Sequence, residues 1–511
     1  MDALTLGIDV GTSATKGVVA DATGKVLWTA AASYQFAQPR PGWAEQDPAD
    51  WWKAVCKVIR ILLGEHPDLE TRIGGVGVSG QGVAAVFLDD AGQALRPAIL
   101  WLDSRCAAQA EALEKRLGKQ IAAISGKRPA AYNVAPKLLW VAQNEPEVWA
   151  RAWKVMTTTA YITYRLTGRP VMNHSDGGIL LAYDLAGRSW SRELQEAMEL
   201  PPKIYCELAD CDEIIGSVTP AAAEATGLRV GTPVVAGGED TSSAGLAVGV
   251  LSPQDALLSL GTAATVYVPA VEPRLDARLL AFPHVIRGLT LVGGSMVAGG
   301  SAMSWIAKLL DADHSEGQSE RNETFEKLTR EAEQTPPGSD GLLFLPYLSG
   351  ELQPINDGFA RGVFMGLSLS TRRAHLVRAV MEGTAFAIQH NLSVARATGT
   401  NPRRLVAVGA PTQNRLWCQI ISDVTGLGID VMQERGGAAL GDAILAALGA
   451  GLVQGPEEMQ KAHAVIEARY SPRETVHRRY EELHSLYCEV YPRLQDLFPR
   501  LTGRVAADKL Q

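Results

Sequence analysis

The chain has 511 residues, 46% of them hydrophobic and 20% charged, and a formal net charge of −8. About 150 residues per domain predicts two to four domains and a large buried core. The excess of acidic residues does not indicate a surface that binds nucleic acid or an anionic membrane, so small metabolites are the expected partners. The apolar run 443–453 is too short to cross a bilayer, and the chain starts without a basic leader. With six scattered cysteines, these features predict a reducing, cytoplasmic location.

The first stretch with chemical content is a predicted hairpin over residues 4–20. Alternating apolar residues predict a strand at 4–10, and an apolar run at 18–20 predicts the returning strand. The tip between them carries glycine, hydroxyl and ammonium groups, namely Gly11, Thr12, Ser13 and Lys16. Such groups can surround a phosphate chain, and Asp9 at the base of the tip is of the type that binds Mg²⁺. An ordinary glycine-containing hairpin explains these residues equally well when they are taken alone.

The following segments predict elements that could border a cleft. Asp47 and Pro48 have the pattern of an N-cap followed by a first-turn proline. Residues 73–88 have the glycine spacing of a dinucleotide site, but an extended apolar run follows where that site needs a helix. We therefore interpret the segment as two strands joined across residues 80–82, with Gln81 facing a cleft.

Trp101 and Asp103 open a helical pattern that runs to residue 117, and another helix follows Tyr132. A tryptophan beside opposite charges is typical of a ligand pocket and of a capped helix, and both alternatives stay open at this point.

A carboxylate pair follows the apolar strand predicted at residues 234–238. Glu239, Asp240 and Thr241 stand where α/β sheets bind ligands, between the end of a strand and the start of a helix. Asp240 is the best candidate for a general base. The alternative is that Asp240 caps the helix, which is a common role for aspartate.

A second hairpin of the first type is predicted at residues 256–268, with Gly261 and Thr262 in its tip. Two phosphate-type hairpins about 250 residues apart indicate a duplicated, two-lobed ATPase core with a cleft between the lobes. Near the end of the chain, the sequence from Ser471 to Glu474 predicts a capping box at the start of a helical tail.

These motifs together resemble the carbohydrate kinases of the FGGY family, within the actin, hexokinase and Hsp70 ATPase superfamily, and xylulose kinases in particular. The resemblance covers nearly the whole chain. The matching blocks are Asp9-x-Gly-Thr-Ser-x-x-Lys16, Ser259-Leu-Gly-Thr262, the stretch 42–48 with Trp51 and Trp52, Lys137-Leu-Leu-Trp140, the stretch 344–351, and the signature that joins 362–366 to 375–382.

The resemblance implies an α/β fold of the duplicated, ribonuclease H-like (actin-like ATPase) type, with ATP and Mg²⁺ bound between the lobes. It implies that Asp240 is the catalytic base and that Asp9 and Asp240 hold the metal. The residues implied for the phosphates are Gly11, Thr12, Ser13, Lys16, Gly261 and Thr262. Those implied for the adenosine half are Gly300, Ser304, Gly409, Ala410 and Asn414. Those implied for the sugar are Gln81, Gly82, Val83, Trp101, Asp103, Tyr132, Asp240 and Thr241.

The chain departs from the xylulose-kinase pattern at two sugar-reading places. Gly82-Val83-Ala84 stands where that pattern has Met-His-Gly, and Thr241 stands where it has asparagine. Losing a buried hydrogen-bond partner can change substrate preference by orders of magnitude. Near the adenosine, Ala410 replaces a glycine but is still small enough for a close backbone approach.

We therefore expect ATP-dependent phosphorylation of a small sugar or polyol, with a ketopentose as the first candidate and a tetritol or hexulose as the alternative. A nucleotide-gated ATPase without sugar kinase activity and a catalytically weak sugar-binding relative are the other hypotheses. The expected domains are a substrate-side lobe at 1–248, a nucleotide-side lobe at 249–453 and a helical tail at 454–511 packed on the lobes. A homodimer is a further expectation.

Overall fold

The protein, as a computed structural model, is described over residues 3–310, 318–433 and 436–501. Within these residues, two seven-stranded mixed sheets form the centres of two lobes. The strands of the first sheet come from residues 4–239, and those of the second come from residues 255–470. The expected two-lobed α/β fold is therefore confirmed.

The first sheet is built around the opening hairpin. Its strands, in order across the sheet, are Ile214–Ser217, Pro233–Val235, Ile73–Gly80, Leu4–Val10, Ala14–Ala20 and Val26–Ser33, and Gly238–Glu239 also pairs with Ile73–Gly80. Leu4–Val10 pairs antiparallel with Ala14–Ala20 and parallel with Ile73–Gly80. The carboxyl ends of the parallel strands therefore lie beside the tip of the hairpin, where ligands bind in such sheets.

The second sheet repeats this arrangement. Its strands, in order, are Leu280–Pro283, Thr290–Met296, Ala264–Ala270, Asp255–Leu260, Arg404–Val408, Gly428–Met432 and Ile466–Tyr470. Asp255–Leu260 again pairs antiparallel with the strand that follows it and parallel with a strand from later in the chain. The repeated order explains the internal duplication seen in the sequence.

Short strand pairs and helices cover the two sheets. The short pairs are Glu45–Gln46 with Ala98–Ile99, Val86–Leu88 with Lys154–Met156, Val171–Asn173 with Glu207–Ala209, Tyr183–Asp184 with Ser189–Trp190, and Leu343–Leu345 with Val363–Met365. The α-helices before the second sheet are Pro48–Glu65, Leu69–Arg72, Ala107–Ser125, Val134–Asn144, Pro146–Arg151, Thr158–Thr167, His174–Gly178, Arg192–Ala197, Pro220–Thr226 and Asp240–Ala247. Those that follow are Gly300–Leu310, Gln318–Glu333, Arg373–Ala397, Arg415–Thr425, Gly437–Gly449, Pro456–His463, Glu474–Leu494 and Phe498–Leu501. The 3₁₀ turns are Pro202–Ile204, Ser339–Gly341 and Ala410–Gln413.

Two junction helices, Asp240–Ala247 and Gly437–Gly449, cross where the lobes meet, and glycines set how closely they approach. The helix Gly437–Gly449 lies on the first sheet, where a Cβ atom at Gly7 would be only 1.7 Å from the carbonyl oxygen of Ala439. A Cβ at Gly77 would lie 2.1 Å from the Asp442 carbonyl oxygen, and one at Gly441 would lie 2.0 Å from that of Ser243. The glycine spacing at 75–80 therefore serves helix packing, since only a residue without a side chain fits at these contacts.

The C-terminal segment differs from the predicted helical tail. Ile466–Tyr470 is the edge strand of the second sheet, pairing with Gly428–Met432, so residues 466–470 belong to the second lobe. The predicted capping box is wrong. Arg473 occupies the N-cap of the helix Glu474–Leu494 and makes no side-chain cap bond, because a guanidinium has no acceptor for a backbone N–H. Its guanidinium donates to the carboxylate of Asp423.

Candidate active site

The tip of the first hairpin is held by its own backbone and by Tyr34. The Gly11 N–H donates to the carbonyl of Ala14 at 3.0 Å, and the Tyr34 hydroxyl donates to the carbonyl of Gly11 at 2.6 Å. The side chains of Ser13 and Lys16 are exposed at this tip. The predicted phosphate loop is thus a fixed turn with polar groups available on its outer side.

Asp9, at the base of this tip, has a carboxyl group that can still bind a cation. Among the described residues, its Oδ1 atom has no hydrogen-bond partner although the atom is buried. Burial, and then the charge of Asp240, raises the pKa of Asp9 to about 7, while Lys16 opposes the shift. A buried carboxylate oxygen without a partner fits a bound cation.

Thr12 connects the phosphate loop to the predicted sugar side. Its hydroxyl donates to Oε1 of Gln81 at 3.1 Å and accepts from the indole N–H of Trp101 at 3.0 Å. Gln46 joins the same network, since its amide donates to the Thr12 carbonyl at 2.7 Å and accepts from the Gln81 amide at 2.8 Å. Both ends of the Gln81 amide are therefore bonded within the protein. Trp101 is 45% exposed, so part of its side chain is open to solvent.

Asp240 is the first residue of the helix Asp240–Ala247, but it does not cap that helix. Glu239 is the N-cap, and its Oε2 accepts from the N–H of Ser242 at 2.9 Å. The Asp240 carboxylate accepts from the hydroxyl of Thr241 at 3.1 Å. The structure thus removes the capping role that competed with a catalytic role for Asp240.

Glu239 is itself unusual, because it is a nearly buried carboxyl beside another carboxyl. Burial, the charge of Asp240 and a hydrogen bond with Asp240 hold the pKa of Glu239 well above its usual range. Asp176 also contributes to this shift, and burial raises its own pKa to about 7. Acidic side chains therefore converge on Asp240 from several segments of the first lobe.

The Gly82-Val83 turn lies beside this acidic group. A Cβ at Gly82 would meet Ile179 at 3.1 Å and the side chain of Glu239 at 3.6 Å. Val83 has φ of 54°, a left-handed conformation that is costly for a β-branched residue. The Lys137 ammonium holds this turn by donating to the carbonyls of Val83 at 2.6 Å and Tyr132 at 2.8 Å. Burial lowers the pKa of Lys137 to about 7.

Tyr132 lies where the two lobes meet. It borders a cavity of about 440 Å³ that is also lined by Glu351, Gln353 and Asn356 of the second lobe. Burial raises the pKa of Tyr132 to about 12, against the opposing effect of a hydrogen bond with Gln353. Of the predicted sugar-binding residues, Tyr132 thus stands at the junction with the second lobe.

Asp103 is engaged inside the first lobe. Its carboxylate accepts from the N–H of Ala44 at 2.6 Å and forms an ion pair with Arg105 at 2.7 Å, and it is 1% exposed. Arg105 also pairs with Glu45 and lies 3.6 Å from the ring centre of Trp43. Residues 101–106 precede the helix, which begins at Ala107, so the prediction that the helix opens at Trp101 is wrong.

The tip of the second hairpin packs against two further glycine-rich segments. The N–H of Gly300 donates to the carbonyl of Gly261 at 2.7 Å, and the N–H of Ser301 donates to that of Thr262 at 3.1 Å. A Cβ at Gly300 would meet Pro411 at 3.3 Å, which brings the turn at Ala410–Gln413 to the same place. Gly261, Thr262, Gly300 and Ala410 are thus gathered as the predicted nucleotide site requires.

The other predicted adenosine contacts have different surroundings. Gly409 has φ of 106°, and a Cβ there would lie 1.8 Å from the Leu260 carbonyl oxygen, so glycine is required for packing. Ser304 is exposed on the helix Gly300–Leu310. Asn414 caps the helix Arg415–Thr425 through the N–H of Trp417 at 3.0 Å, and its amide donates to Thr329 at 2.8 Å.

Known proteins resemble the chain along its whole length. A model of the FGGY family of carbohydrate kinases, N-terminal domain, matches residues 4–247, and the model of the C-terminal domain matches residues 256–450. The chain belongs to the FGGY family of carbohydrate kinases. It is therefore an ATP:sugar phosphotransferase by family, and the actin-like, two-domain reading of its fold is confirmed.

Individual FGGY kinases show how far the similarity extends. A xylulose kinase of Lactococcus lactis is 32% identical over 501 residues, which cover 97% of this chain and 98% of that protein. The crystal structure of xylulose kinase from Rhodospirillum rubrum superposes with a TM-score of 0.91 at 32% identity and covers 97% of this chain and 99% of that one. The crystal structure of gluconate kinase from Lactobacillus acidophilus has the same TM-score at 26% identity and covers 98% and 100%.

Sequence reasoning about this FGGY kinase missed the roles of three residues that shape the site. Tyr34 supports the phosphate loop and Lys137 holds the Val83 turn. Glu239 was placed at the strand end that binds ligands, but its role as the cap of the helix Asp240–Ala247 was not predicted. The lysine inside the apolar run Pro136-Lys137-Leu138 could have indicated its role, since a buried ammonium needs specific acceptors. Nothing in the local sequence marks Tyr34. No helix in the described part of the chain is long and apolar enough to cross a membrane.

Proposed function

We propose that this FGGY kinase transfers the γ-phosphoryl group of ATP to a hydroxyl of a ketopentose, with xylulose as the first candidate. The observation that carries the proposal is the arrangement at the start of the helix Asp240–Ala247. Glu239 takes the N-cap, so the Asp240 carboxylate is left to accept a proton from a substrate hydroxyl. The named xylulose kinases among its relatives support the choice of sugar.

The metal is proposed to be Mg²⁺, held by Asp9 and Asp240. The described residues contain no group of three or more His, Cys, Asp or Glu that could hold a metal by itself. This fits Mg²⁺, which is usually bound by one or two carboxylates together with water and phosphate oxygens. The buried, unpartnered Oδ1 of Asp9 fits the same role. Mg²⁺ supplies charge neutralisation for the transferring phosphoryl group.

The two hairpins are proposed to hold the phosphates. The N–H groups of Thr12, Ser13 and Thr262 and the hydroxyl of Ser13 bind phosphate oxygens, and Lys16 adds a positive charge. Gly11 and Gly261 shape the two tips, since their own N–H groups bond the carbonyls of Ala14 and Ala263. Gly300, Ser304, Gly409, Ala410 and Asn414 are proposed to border the adenosine half. The Asn414 amide is already bonded to Thr329 and Trp417, so its role there is to fix the helix start beside the base.

The sugar is proposed to lie over Gly82 and Val83, against the exposed part of Trp101, with Tyr132 and Thr241 at its edges. Gln81 and Asp103 act differently from the sequence-based expectation that they touch the sugar. Because their polar atoms are bonded within the protein, they position Thr12 and the segment around Ala44. They are proposed as positioning residues.

A different ketose or a polyol is the second candidate substrate. Gly82, Val83 and Thr241 differ from the xylulose-kinase pattern, and a gluconate kinase is similar to this chain along its full length. Release of ADP should be measured with D-xylulose, D-ribulose, erythritol, D-fructose and D-gluconate. Stimulation by one sugar identifies the acceptor, whereas turnover that is independent of sugar would favour the nucleotide-gated ATPase.

The role of Asp240 is tested by Asp240→Asn, which should lower kcat about 10²-fold or more because the base is lost. Asp90→Asn is the matched control, since Asp90 is exposed and is not among the predicted site residues. Near-normal kcat for Asp240→Asn would contradict the assignment. A homodimer and a cytoplasmic location stay predictions, which sedimentation and cell fractionation can test.

A further inference from the structure

Glu239 has more contacts than a helix cap requires. One oxygen, Oε2, accepts from the N–H of Ser242 at 2.9 Å, and the N–H of Glu239 donates to the hydroxyl of Ser175 at 2.9 Å. The residue also pairs in the sheet with Gly80, one residue before Gln81. The contacts with Ser175 and Gly80 fix the backbone of Glu239, and the bond from Ser242 fixes the direction of its side chain. The residue is 7% exposed.

The second oxygen of Glu239 faces the place proposed for the sugar. Oε1 lies 3.6 Å from the position that a Cβ on Gly82 would occupy. The carboxyl group therefore lies next to the space that a side chain at position 82 would fill. The charges of Glu239 and Asp240, and Tyr132 as well, act on the hydroxyl of Tyr267 in the second lobe. Glu239 and Asp240 therefore act electrostatically on the second lobe as well as on each other.

A structural role alone does not account for a glutamate at this position. Serine, threonine and asparagine are among the preferred caps, and each would bond Ser242 without placing a second carboxyl beside Asp240. Burying a carboxyl next to another one costs stability. Binding sites commonly retain such costly groups because a ligand uses them.

We propose that Glu239 is a specificity-determining residue whose carboxyl group hydrogen-bonds a sugar hydroxyl next to the one that Asp240 deprotonates. This inference rests on the proposed function, because it takes Asp240 as the base. The ligand chemistry is a vicinal diol, with one hydroxyl directed to Asp240 and its neighbour directed to Glu239. Gly82 is part of the same site, since a Cβ there would already be in van der Waals contact with the Glu239 carboxyl, at 3.6 Å.

The test uses the full-length enzyme and two variants, Glu239→Ser and Glu239→Gln. Serine keeps a good helix cap but cannot reach the sugar, while glutamine keeps the shape and a hydrogen-bonding group. ADP release is measured with D-xylulose and with its deoxy analogues at carbons 1, 3 and 4. The KM for ATP and the urea midpoint of each variant report on folding and on the nucleotide site.

We expect the unmodified enzyme to use one analogue about 10- to 100-fold less well than D-xylulose, as kcat/KM, because a buried polar group loses its partner. In Glu239→Ser, kcat/KM for D-xylulose should fall to the level of that analogue, with the KM for ATP within about 2-fold of normal. Glu239→Gln should recover part of the discrimination.

Two results would overturn the inference, and only the second would also overturn the proposed function. If the ratio between D-xylulose and every analogue is the same in Glu239→Ser and Glu239→Gln as in the unmodified enzyme, Glu239 does not read the sugar, while the kinase function stands. If the unmodified enzyme releases no ADP in response to any sugar of the panel, the proposed function and the role of Glu239 both fail.

Discussion

Substitution of Gly441 tests how the lobes are joined, because Gly441 lies where the two junction helices cross. A Cβ added at Gly441 would lie 2.0 Å from the backbone carbonyl oxygen of Ser243, whereas ordinary contact begins at 3.4 Å. The helices would have to separate by about 1.4 Å, which is the difference between these distances. A backbone oxygen cannot rotate away as a flexible side chain can. The same separation would stretch the bond from the Ser243 hydroxyl to Asp442, which is 2.8 Å long.

These effects set the magnitude expected for Gly441→Ala. Overpacking in a well-packed core costs typically 1–3 kcal/mol, and a contact this short calls for the upper end. Losing the buried bond to Asp442 costs about 1 kcal/mol more. Alanine regains up to about 1 kcal/mol through its better helix propensity. We therefore expect a net loss of about 3 kcal/mol in the free energy of unfolding.

The assay is equilibrium unfolding in urea followed by tryptophan fluorescence. Gly64→Ala is the matched control, because Gly64 lies in the helix Pro48–Glu65 and nothing in the described part of the chain lies within 4 Å of an added Cβ. The control should be stabilised by about 0.5–1 kcal/mol. Gly441→Ala should also lower kcat, since its neighbour helix begins at Asp240. If Gly441→Ala is as stable as Gly64→Ala, the close crossing does not exist and the reasoning is refuted.

Three further outcomes are expected. Thr12→Val should lower kcat about 10-fold, because it removes the hydroxyl that links the phosphate loop to the sugar side, and it should lower the free energy of unfolding by about 1–3 kcal/mol, because the buried Oε1 of Gln81 loses its donor; equal kcat in steady-state kinetics would contradict this. Lys137→Met should raise the KM for the sugar more than the KM for ATP, because the carbonyl of Val83 loses its donor; parallel changes in the two KM values would argue against it. Burial lowers the pKa of His390 and of His484 to about 4, below the 6.5 of a free histidine, so the unfolded chain binds protons more readily. The free energy of unfolding should then be fully present above about pH 6.5 and fall toward pH 4 by up to about 3 kcal/mol per histidine, and urea midpoints of His484→Phe should show a shallower fall.

The sequence carried enough information for the framework of the fold because the local patterns agree with the final packing. Leu4–Val10 forms a strand as its alternating apolar residues predict, although nearly all of its residues are buried, and Asp47 caps the helix at Pro48 as its pattern predicts. The carboxylate at the strand end was assigned to the right place in the fold, beside the helix that starts at Asp240. Each of these features is decided within about ten residues of chain, which is the range over which sequence patterns are informative.

Features decided by distant contacts could not be predicted in this way. Gln81 was expected to face the sugar, but its amide is used by Thr12 and Gln46, and those partners come from separate segments. Gly7 and Gly77 carry no sign in their own neighbourhood that a helix more than 350 residues later will rest on them. Asp103 likewise has its partner Ala44 59 positions earlier in the chain. Only the assembled fold shows which polar groups are left free for a ligand.

Comparison with two relatives indicates that a small part of the molecule decides which sugar is used. A xylulose kinase and a gluconate kinase superpose on this chain equally well, each with a TM-score of 0.91, so the backbone fold does not distinguish their substrates. The difference must lie in side chains that border the sugar. In this chain the proposed border combines a glycine at 82, a strained valine at 83 that a buried lysine holds, and a glutamate at 239. Because strain and a buried carboxyl both lower stability, their retention beside Asp240 favours a site shaped for one particular arrangement of hydroxyls.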